Sequence, residues 1–230
     1  MSNIIVTDPP RTSIADLDQL AEYGVATVHE AIGRSGLVGT SVHPIQNGAR
    51  IAGSAVTVLS WPGDNLMIHA AVEQCRPGDV LVVTTVSPSL DGSFGELFAT
   101  ALQQRGVRGL VTTGGVRDVV DLRAMGFPVW AGAQNAQGTV KATPGSVNVP
   151  ITVGGVLVRP GDAVIADDDG VLVVARTAVA EAIAASAARV DKEAESRAAY
   201  QKGELSLDRN KLRGVLRDLG VTYVPAADDH

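Results

Sequence analysis

Two glycine-rich turns carry the residues best suited to chemistry. The first, Gly92-Ser93-Phe94-Gly95, precedes a predicted helix that begins at Glu96. The first backbone N–H groups of a helix have no partner within it, so those of Leu97 and Phe98 can hold an anion there. This turn therefore predicts a cradle for a carboxylate or a phosphate.

The second turn, Gly114-Gly115-Val116-Arg117-Asp118, follows about twenty residues later. Arg117 offers a forked donor to a carboxylate or enolate oxygen, and Asp118 offers a hard oxygen ligand for Mg²⁺. Glu96 adds a second acid, although Asp118 could instead cap a helix and Glu96 could simply favour a helix start. Neighbouring parallel strands end at the same sheet edge, so the two turns together predict a site for a small anion and a divalent metal.

The remaining nucleophiles and bases give weaker signals. No histidine pairs with another at metal-ligand spacing, and all four are interpreted as structural or solvated; they are His29, His43, His69 and His230. Lys141 follows a predicted strand, and it could form a Schiff base only if an apolar pocket desolvated it. The chain lacks a Gly-x-Ser-x-Gly elbow and a P-loop, which argues against serine hydrolysis and the use of nucleoside triphosphates.

The composition excludes several classes of protein. The 230 residues are 45% hydrophobic and include 25 glycines, which is typical of a globular chain. A net charge of −6 with 3% aromatic residues argues against a nucleic-acid partner. The single cysteine, Cys75, excludes a disulfide framework and suits a reducing cytoplasm. Neither a secretory signal nor an apolar run of about 18 residues is present, so a cytoplasmic protein without a membrane partner is expected.

The hydrophobic pattern predicts an α/β fold. Strands at 52–60, 80–83, 109–113 and 127–131 alternate with helices at 65–74, 96–105 and 117–126, which is typical of a parallel sheet with helical crossovers. Two short helices are predicted within 13–33, capped by Ser13 and separated at Gly24. Short strands at 147–153, 156–158, 163–166 and 171–174 precede a long helix from 178 to about 200, within a helical arm that ends near 218.

One phrase nearly recurs along the chain. Arg76-Pro77-Gly78-Asp79 and Arg159-Pro160-Gly161-Asp162 each precede an apolar run. The favoured interpretation is a good turn before a buried strand, and the alternative is a duplicated unit.

The ordered motifs resemble a known family. Gly95-Glu96-Leu97 followed by Gly114-Gly115-Val116-Arg117-Asp118 resembles the RraA-like superfamily. The resemblance continues through segments 24–31, 72–83, 136–141, 166–171 and 192–197. It favours the branch of 4-hydroxy-4-methyl-2-oxoglutarate/4-carboxy-4-hydroxy-2-oxoadipate aldolases over the regulatory branch.

This resemblance implies a fold and an activity. The fold would be an αββα sandwich similar to a swivelling phosphohistidine domain, forming one domain over 1–230 with a long C-terminal helix. The activity would be a class II pyruvate aldolase using Mg²⁺ or Mn²⁺, with oxaloacetate decarboxylation as a side activity, in the breakdown of protocatechuate or gallate. A homotrimer or a homohexamer with sites between subunits is implied, and the choice between them stays open.

The resemblance also implies roles for the residues of the two turns. Asp118 matches the direct metal ligand, and Arg117 matches the arginine that contacts pyruvate and stabilises its enolate. Gly95 and the N–H groups of Leu97 and Phe98 match the cradle for the substrate carboxylate.

Further roles are implied for residues outside the cradle. Glu96 matches an acid that holds metal-bound water, and Lys141 matches a basic residue of the pocket. Glu30 and Glu193 match acids that the adjacent subunit donates. Glu195 and Glu204 lie near Glu193 in the sequence and are alternatives to it, and Glu193 could instead pair with Arg197 on its own helix.

Two other functions stay open on the sequence. One is an RraA-type regulator that binds and inhibits a ribonuclease, and the other is a class I lyase that uses Lys141. The preferred substrate, carboxy or methyl, and the physiological metal are also left open.

Overall fold

The computed structural model describes residues 3–226, which form two units that divide between Ala187 and Ala188. Within the described residues, the strands are β1 (His43–Pro44), β2 (Ile51–Ser60), β3 (Asp79–Thr85), β4 (Gly92–Phe94), β5 (Gly109–Val116), β6 (Val129–Gln134), β7 (Ser146–Val147), β8 (Ile151–Val153), β9 (Val156–Val158), β10 (Ala163–Asp167) and β11 (Gly170–Val174). The helices are α1 (Ile14–Ala31), α2 (Leu66–Gln74), α3 (Glu96–Gln104), α4 (Val119–Ala124), α5 (Val179–Gln201), α6 (Ser206–Arg209) and α7 (Leu212–Asp218), with a 3-10 turn at Arg176–Ala178.

The first unit is built on a nine-stranded sheet. Seven strands follow the order β1-β6-β5-β3-β2-β10-β11, while β4 pairs with β5 and β7 pairs with β2. The pairs β2–β3, β3–β5 and β5–β6 are parallel, as α2, α3 and α4 cross between them. The predicted α/β class is therefore confirmed, and it includes the predicted long C-terminal helix α5.

Side chains that alternate along the strands fill a core on each face of the sheet. On β3, Leu81 and Val83 join the cluster that contains the buried side chains of α2, α3 and α4. Val80 and Val82 point to the opposite face and join a cluster that includes β8 and β9. Both faces of the central strands are buried, and this explains their almost continuous apolar runs.

The sheet curls until its two edges approach each other. Trp130 on β6 donates its indole N–H to the carbonyl of Asp167 on β10, over 2.8 Å, although three strands separate β6 from β10. Leu37 pairs with Leu172 on β11, and a few residues later His43 pairs with Ala131 on β6. The segment from 37 to 44 thus joins both edges, and the sheet is a nearly closed barrel.

Helix α1 begins and bends where the sequence predicts. The Ser13 side chain accepts a hydrogen bond from the backbone N–H of Asp16, which confirms the predicted cap. Gly24 has φ 78°, so the predicted break is a kink within one helix. Asp167 accepts a hydrogen bond from the backbone N–H of Val25 over 2.8 Å and caps the second half of α1.

Two local predictions are wrong. Gly114 and Gly115 are not a turn, because β4 pairs with β5 and extends that strand to Val116. The single strand predicted over 147–153 is divided into β7 and β8, because Asn148 between them adopts φ 56°.

The recurring Arg-Pro-Gly-Asp phrase forms the same turn twice. Asp79 accepts a hydrogen bond from the backbone N–H of Arg76 over 2.8 Å, and Asp162 accepts one from that of Arg159 over 2.9 Å. The following strands lie on either side of β2, β3 parallel to it and β10 antiparallel. The shared turn geometry agrees with the favoured interpretation of a turn before a buried strand.

The second unit contains the end of α5 together with α6 and α7. Arg209 links its helices, donating from Nε to the Ser196 hydroxyl over 3.0 Å and pairing with Glu204 at 3.4 Å. None of the helices found between residues 3 and 226 has the length and apolar character needed to cross a membrane.

Candidate active site

The two glycine-rich segments meet at the ends of β4 and β5. Gly92 pairs with Gly115, and the backbone N–H of Arg117 donates to the carbonyl of Phe94 over 2.9 Å. The geometry confirms the expectation that these segments share one edge of the sheet. It also places Arg117 and Asp118 directly beside the first turn of α3.

Asp118 holds an unusual backbone conformation at the start of α4. Its φ of 55° and ψ of 38° lie in the left-handed region, which Asp enters more readily than most residues. Its side chain makes no capping hydrogen bond to α4; instead, Oδ2 accepts from the backbone N–H of Glu96 over 3.2 Å. Asp118 therefore occupies the N-cap position of α4, as the alternative interpretation expected, but its side chain does not cap that helix.

Gly95 makes this contact sterically possible. A Cβ atom at position 95 would lie 2.2 Å from Oδ2 of Asp118, which is far inside van der Waals contact. Gly95 supplies no side-chain cap to α3. The N–H groups of Leu97 and Phe98 consequently have no acceptor among the described residues, and an anion can bind them.

A cavity of about 360 Å³ opens at this helix start. Its lining residues are Asn65, His69, Val72, Gly95, Leu97, Phe98, Ala101, Arg117, Asp118 and Lys141. Six of them were predicted from the sequence: Gly95, Leu97, Phe98, Arg117, Asp118 and Lys141. Arg117 Nε lies 3.7 Å from Oδ2 of Asp118, so a cation and an acid stand side by side at the cavity wall.

The sequence analysis missed Asn65. The residue is 5% exposed, and its amide Nδ2 donates to the carbonyl of Ser93 over 3.1 Å. Its Oδ1 is buried without a hydrogen-bond partner in the described chain, a costly state that a ligand or water in the cavity would relieve. In the sequence Asn65 resembles an ordinary helix cap, and only the unpaired oxygen distinguishes it.

His69 also lines the cavity, although the sequence predicted only a structural or solvated role for it. Burial lowers the pKa of His69, and the positive charge of Lys141 lowers it further. Its ring contacts that of Phe98, with 4.4 Å between the ring centroids. Its neutral imidazole can therefore donate or accept a hydrogen bond in the cavity.

A second cavity, of about 500 Å³, borders the same two polar residues from another side. Its lining residues are Val116, Arg117, Asp118, Val119, Gln134, Asn135 and Ala136. Arg117 and Asp118 therefore line both cavities.

Three predicted acids make other contacts. The Glu96 carboxylate accepts from the Thr100 hydroxyl over 2.7 Å along α3 and does not line either cavity. Glu30 pairs with Arg34 at 2.9 Å near the end of α1. Glu193, in the second unit, pairs with Arg189 at 2.8 Å rather than with Arg197.

The oxygen atoms at the site suit a hard cation that is bound by few protein ligands. Within residues 3–226, no group of three or more His, Cys, Asp or Glu side chains is arranged to hold a metal. Mg²⁺ commonly binds through one or two carboxylates and keeps several waters. The half-exposed Asp118 carboxylate and the unpaired Asn65 oxygen fit that mode of binding, whereas Zn²⁺ would require more nitrogen or sulfur ligands.

The fold and the cavity define an α/β protein in which an open helix start, an arginine and an acid meet at the ends of parallel strands. The family model described as RraA-like, Aldolase/RraA, matches residues 21–173, and the chain belongs to this family.

Curated relatives and a solved structure agree with this membership. The chain is 32% identical over 135 residues to "Putative 4-hydroxy-4-methyl-2-oxoglutarate aldolase" of Halalkalibacterium halodurans, covering 59% of this chain and 64% of that protein's length. A protein of the same name from Burkholderia multivorans is 36% identical over 133 residues, covering 58% and 80%. The crystal structure of Streptomyces coelicolor RraAS2, described as "an unusual member of the RNase ES inhibitor RraA protein family", superposes with a TM-score of 0.75 and 27% identity, covering 83% of this chain and 99% of that chain.

Proposed function

We propose that this chain is a divalent-metal-dependent aldolase that releases pyruvate from 4-hydroxy-2-oxo acids bearing further carboxylates. The observation that carries the proposal is a single cavity lined by Arg117, Asp118 and the open N–H groups of Leu97 and Phe98. The names of the relatives from Halalkalibacterium halodurans and Burkholderia multivorans support an aldolase.

The first turn of α3 would bind the carboxylate at C1 of the substrate. The N–H groups of Leu97 and Phe98 supply two donors, and the helix dipole favours a negative charge there. Arg117 would then reach the oxygen on C2, and Lys141 would neutralise a further carboxylate. Such a ligand needs local cations only, so the net charge of −6 is no obstacle.

Cleavage breaks the bond between C3 and C4 of the substrate. The electron pair moves onto C3 and is delocalised to the C2 oxygen, while the C4 hydroxyl loses its proton and becomes a carbonyl. Arg117 would donate to the C2 oxygen as its negative charge develops, and removing such a donor typically costs about 3–4 kcal/mol of transition-state stabilisation. A divalent ion held by Asp118 would supply Lewis-acid activation of the 2-oxo acid.

Acidic side chains would assist the proton transfers of the reaction. Glu96, once released from Thr100, would orient a water that takes the C4 hydroxyl proton and returns a proton to C3, completing pyruvate. Glu193 and Glu30 of an adjacent subunit are assigned to the same proton relay. These assignments rest on the family resemblance of their positions.

The proposed substrates follow from this chemistry. Cleavage of 4-carboxy-4-hydroxy-2-oxoadipate gives pyruvate and oxaloacetate, and cleavage of 4-hydroxy-4-methyl-2-oxoglutarate gives two pyruvates. Oxaloacetate can lose CO₂ to the same pyruvate enolate, so its decarboxylation is an expected side activity. We further propose Mg²⁺ or Mn²⁺ as the cofactor, a homotrimer or homohexamer as the assembly, and a place in the catabolism of protocatechuate or gallate.

The deciding experiment measures pyruvate release from 4-carboxy-4-hydroxy-2-oxoadipate. Wild-type protein is assayed with Mg²⁺ and with EDTA, beside Arg117→Ala. Activity that needs the metal and Arg117 supports the proposal, whereas activity that survives both changes contradicts it. Borohydride trapping with pyruvate tests the class I alternative, since a covalent adduct on Lys141 would identify a Schiff base.

A second candidate function is supported by the RraAS2 structure, whose title names a ribonuclease-inhibitor family. In this alternative the chain binds a ribonuclease and reduces its activity through a protein interface. A ribonuclease assay with added protein distinguishes the two functions, because Arg117→Ala should not relieve inhibition that occurs far from the cavity.

A further inference from the structure

The buried carboxylate of Asp64 lies beside the candidate site and belongs to neither glycine-rich segment. The residue is 2% exposed, yet its side chain accepts three backbone hydrogen bonds. Oδ1 accepts from the N–H of Leu66 over 2.8 Å, and Oδ2 accepts from the N–H groups of Ala142 over 2.8 Å and Thr143 over 2.7 Å. One side chain therefore joins the start of α2 to the segment that follows Lys141.

Backbone contacts hold the same segment on the other side of Lys141. The N–H of Val140 donates to the carbonyl of Gly63 over 2.9 Å, and the N–H of Asn65 donates to the carbonyl of Val140 over 3.0 Å. Lys141 thus lies between two residues, Val140 and Ala142, that are both bound to residues 63–65. Its place at the cavity wall follows from this clamp, since Lys141 itself belongs to no helix or strand.

The electrostatics of Asp64 agree with a clamp that works as a carboxylate. Burial opposes its ionisation, but the hydrogen bonds from Leu66, Ala142 and Thr143 outweigh burial and lower the pKa of Asp64. An ionised carboxylate has only acceptor sites, and all three neighbours are donors. An amide at this position would lose the charge and turn an N–H₂ group toward either the Leu66 N–H or the N–H groups of Ala142 and Thr143, which weakens the clamp.

We propose that Asp64 is a positioning residue that fixes Lys141, and with it Asn65, at the wall of the substrate cavity. The inference rests on the proposed function, because it assigns Lys141 to binding a substrate carboxylate. It also makes a structural claim that stands apart from activity: without the Asp64 carboxylate, residues 142–144 leave their place against the start of α2, while the backbone bonds of Val140 to Gly63 and Asn65 remain.

The chain provides a matched control for this claim. Asp162 is also buried, at 5% exposed, and its carboxylate accepts the backbone N–H groups of Arg159 over 2.9 Å and Arg176 over 3.0 Å. It lines neither cavity of the candidate site. Asp64→Asn and Asp162→Asn therefore remove similar interactions, and only the first should move Lys141.

Two measurements test the position of the segment without any substrate. Trp61 donates its indole N–H to the carbonyl of Pro144 over 3.0 Å and is 43% exposed, whereas Trp130 is fully buried. Quenching of Trp61 fluorescence by acrylamide should increase in Asp64→Asn and stay unchanged in Asp162→Asn. Peptide mass spectrometry measures the rate at which an amine reagent modifies Lys141. This rate should change in Asp64→Asn and stay unchanged in Asp162→Asn.

The kinetic test uses the metal-loaded protein and 4-carboxy-4-hydroxy-2-oxoadipate. Asp64→Asn should raise KM about tenfold with a smaller change in kcat, since misplacing a binding group weakens productive binding. The double variant Asp64→Asn/Lys141→Met should match Lys141→Met, because Asp64 acts through Lys141. If the effects of Asp64→Asn and Lys141→Met on KM multiply in the double variant, the proposal is overturned. A KM for Asp64→Asn equal to that of the wild type also overturns it.

The two proposals fail in different ways. If the wild-type protein releases no pyruvate, the proposed function is wrong, and the fluorescence and labelling measurements still decide the role of Asp64. Unchanged quenching and unchanged labelling in a folded Asp64→Asn protein overturn the positioning role. If Asp64→Asn does not fold, Asp64→Ser retains one small acceptor, and the same two measurements apply to it.

Discussion

The backbone N–H of Glu96 donates to Oδ2 of Asp118 over 3.2 Å, although the two residues are 22 positions apart in the chain. This contact joins the starts of α3 and α4, the two helices that follow the glycine-rich segments. It turns the Asp118 carboxylate away from its own helix and toward the cavity that Leu97 and Phe98 line. The candidate site depends on this relationship, and the predictions below test its parts.

Replacing Arg117 with Ala should reduce pyruvate release by about 10²–10³-fold, as expected when a donor to a developing oxyanion is lost. The measurement is kcat for 4-carboxy-4-hydroxy-2-oxoadipate with Mg²⁺ present. Arg76→Ala serves as control, since the Arg76 guanidinium pairs with Asp8 and lines neither cavity of the candidate site. Equal activity in the two variants would contradict the assigned role of Arg117.

Replacing Gly95 with Ala should abolish the contact between Glu96 and Asp118, because the new Cβ would lie 2.2 Å from the Asp118 carboxylate. We expect loss of activity and of metal binding, measured by pyruvate release and titration calorimetry. Gly214→Ala is the control: its nearest neighbour would be an Arg217 nitrogen at 3.8 Å, and Ala favours a helix by about 1 kcal/mol. A fully active Gly95→Ala protein would be incompatible with the geometry described.

Asp118→Asn should weaken Mg²⁺ and Mn²⁺ binding, since the amide lacks the charge that attracts a hard cation. Calorimetric titration of metal into the chelator-treated protein gives the dissociation constant. Asp121→Asn, on the same helix α4, lines neither cavity and should bind metal as the wild type does. Should both variants bind equally well, Asp118 is not the metal ligand.

Lys141→Met should raise the pKa of His69 toward its ordinary value of 6.5, because the positive charge of Lys141 is one of the two causes that lower it. Burial, the larger cause, remains, so the pKa should stay below 6.5. In the wild type, His69 is neutral at pH values above its pKa. Because folding lowers this pKa, protonation of His69 at lower pH should also reduce the free energy of unfolding. NMR titration of the imidazole C–H resonance provides the measurement, with Lys192→Met as a control in the second unit.

Mixing two inactive variants tests whether the site is shared between subunits. If Glu193 acts on a neighbour, a mixture of Arg117→Ala and Glu193→Gln subunits should recover part of the wild-type activity after exchange. Light scattering during gel filtration checks the assembly in the same samples. The mixture of Arg117→Ala with Asp118→Asn is the control. Both residues line the cavity of one subunit, so every site in this mixture lacks one of them and subunit exchange should restore no activity.

The sequence by itself determined the α/β class and six of the residues that line the candidate site. The alternation of apolar runs and glycine turns predicted the α/β class, since burial on a sheet and a helix imposes different spacings. The placement of Arg117 and Asp118 beside the start of α3 followed from the rule that parallel strands end at one edge. These conclusions depend on local periodicity and on the order of the elements along the chain, and both can be read directly from the sequence.

Only the tertiary structure decided which atoms face the cavity. Asn65 and His69 resemble a helix cap and a core histidine in the sequence, and packing of α2 beside α3 makes them cavity residues. In the sequence, Asp64 looks like part of an ordinary turn. Only its long-range hydrogen bonds with Ala142 and Thr143 suggest the positioning role that we propose for it. Gly115 resembles a turn glycine, and pairing with β4 makes it part of a strand. Each of these outcomes depends on contacts between residues distant in the chain, which no local pattern encodes.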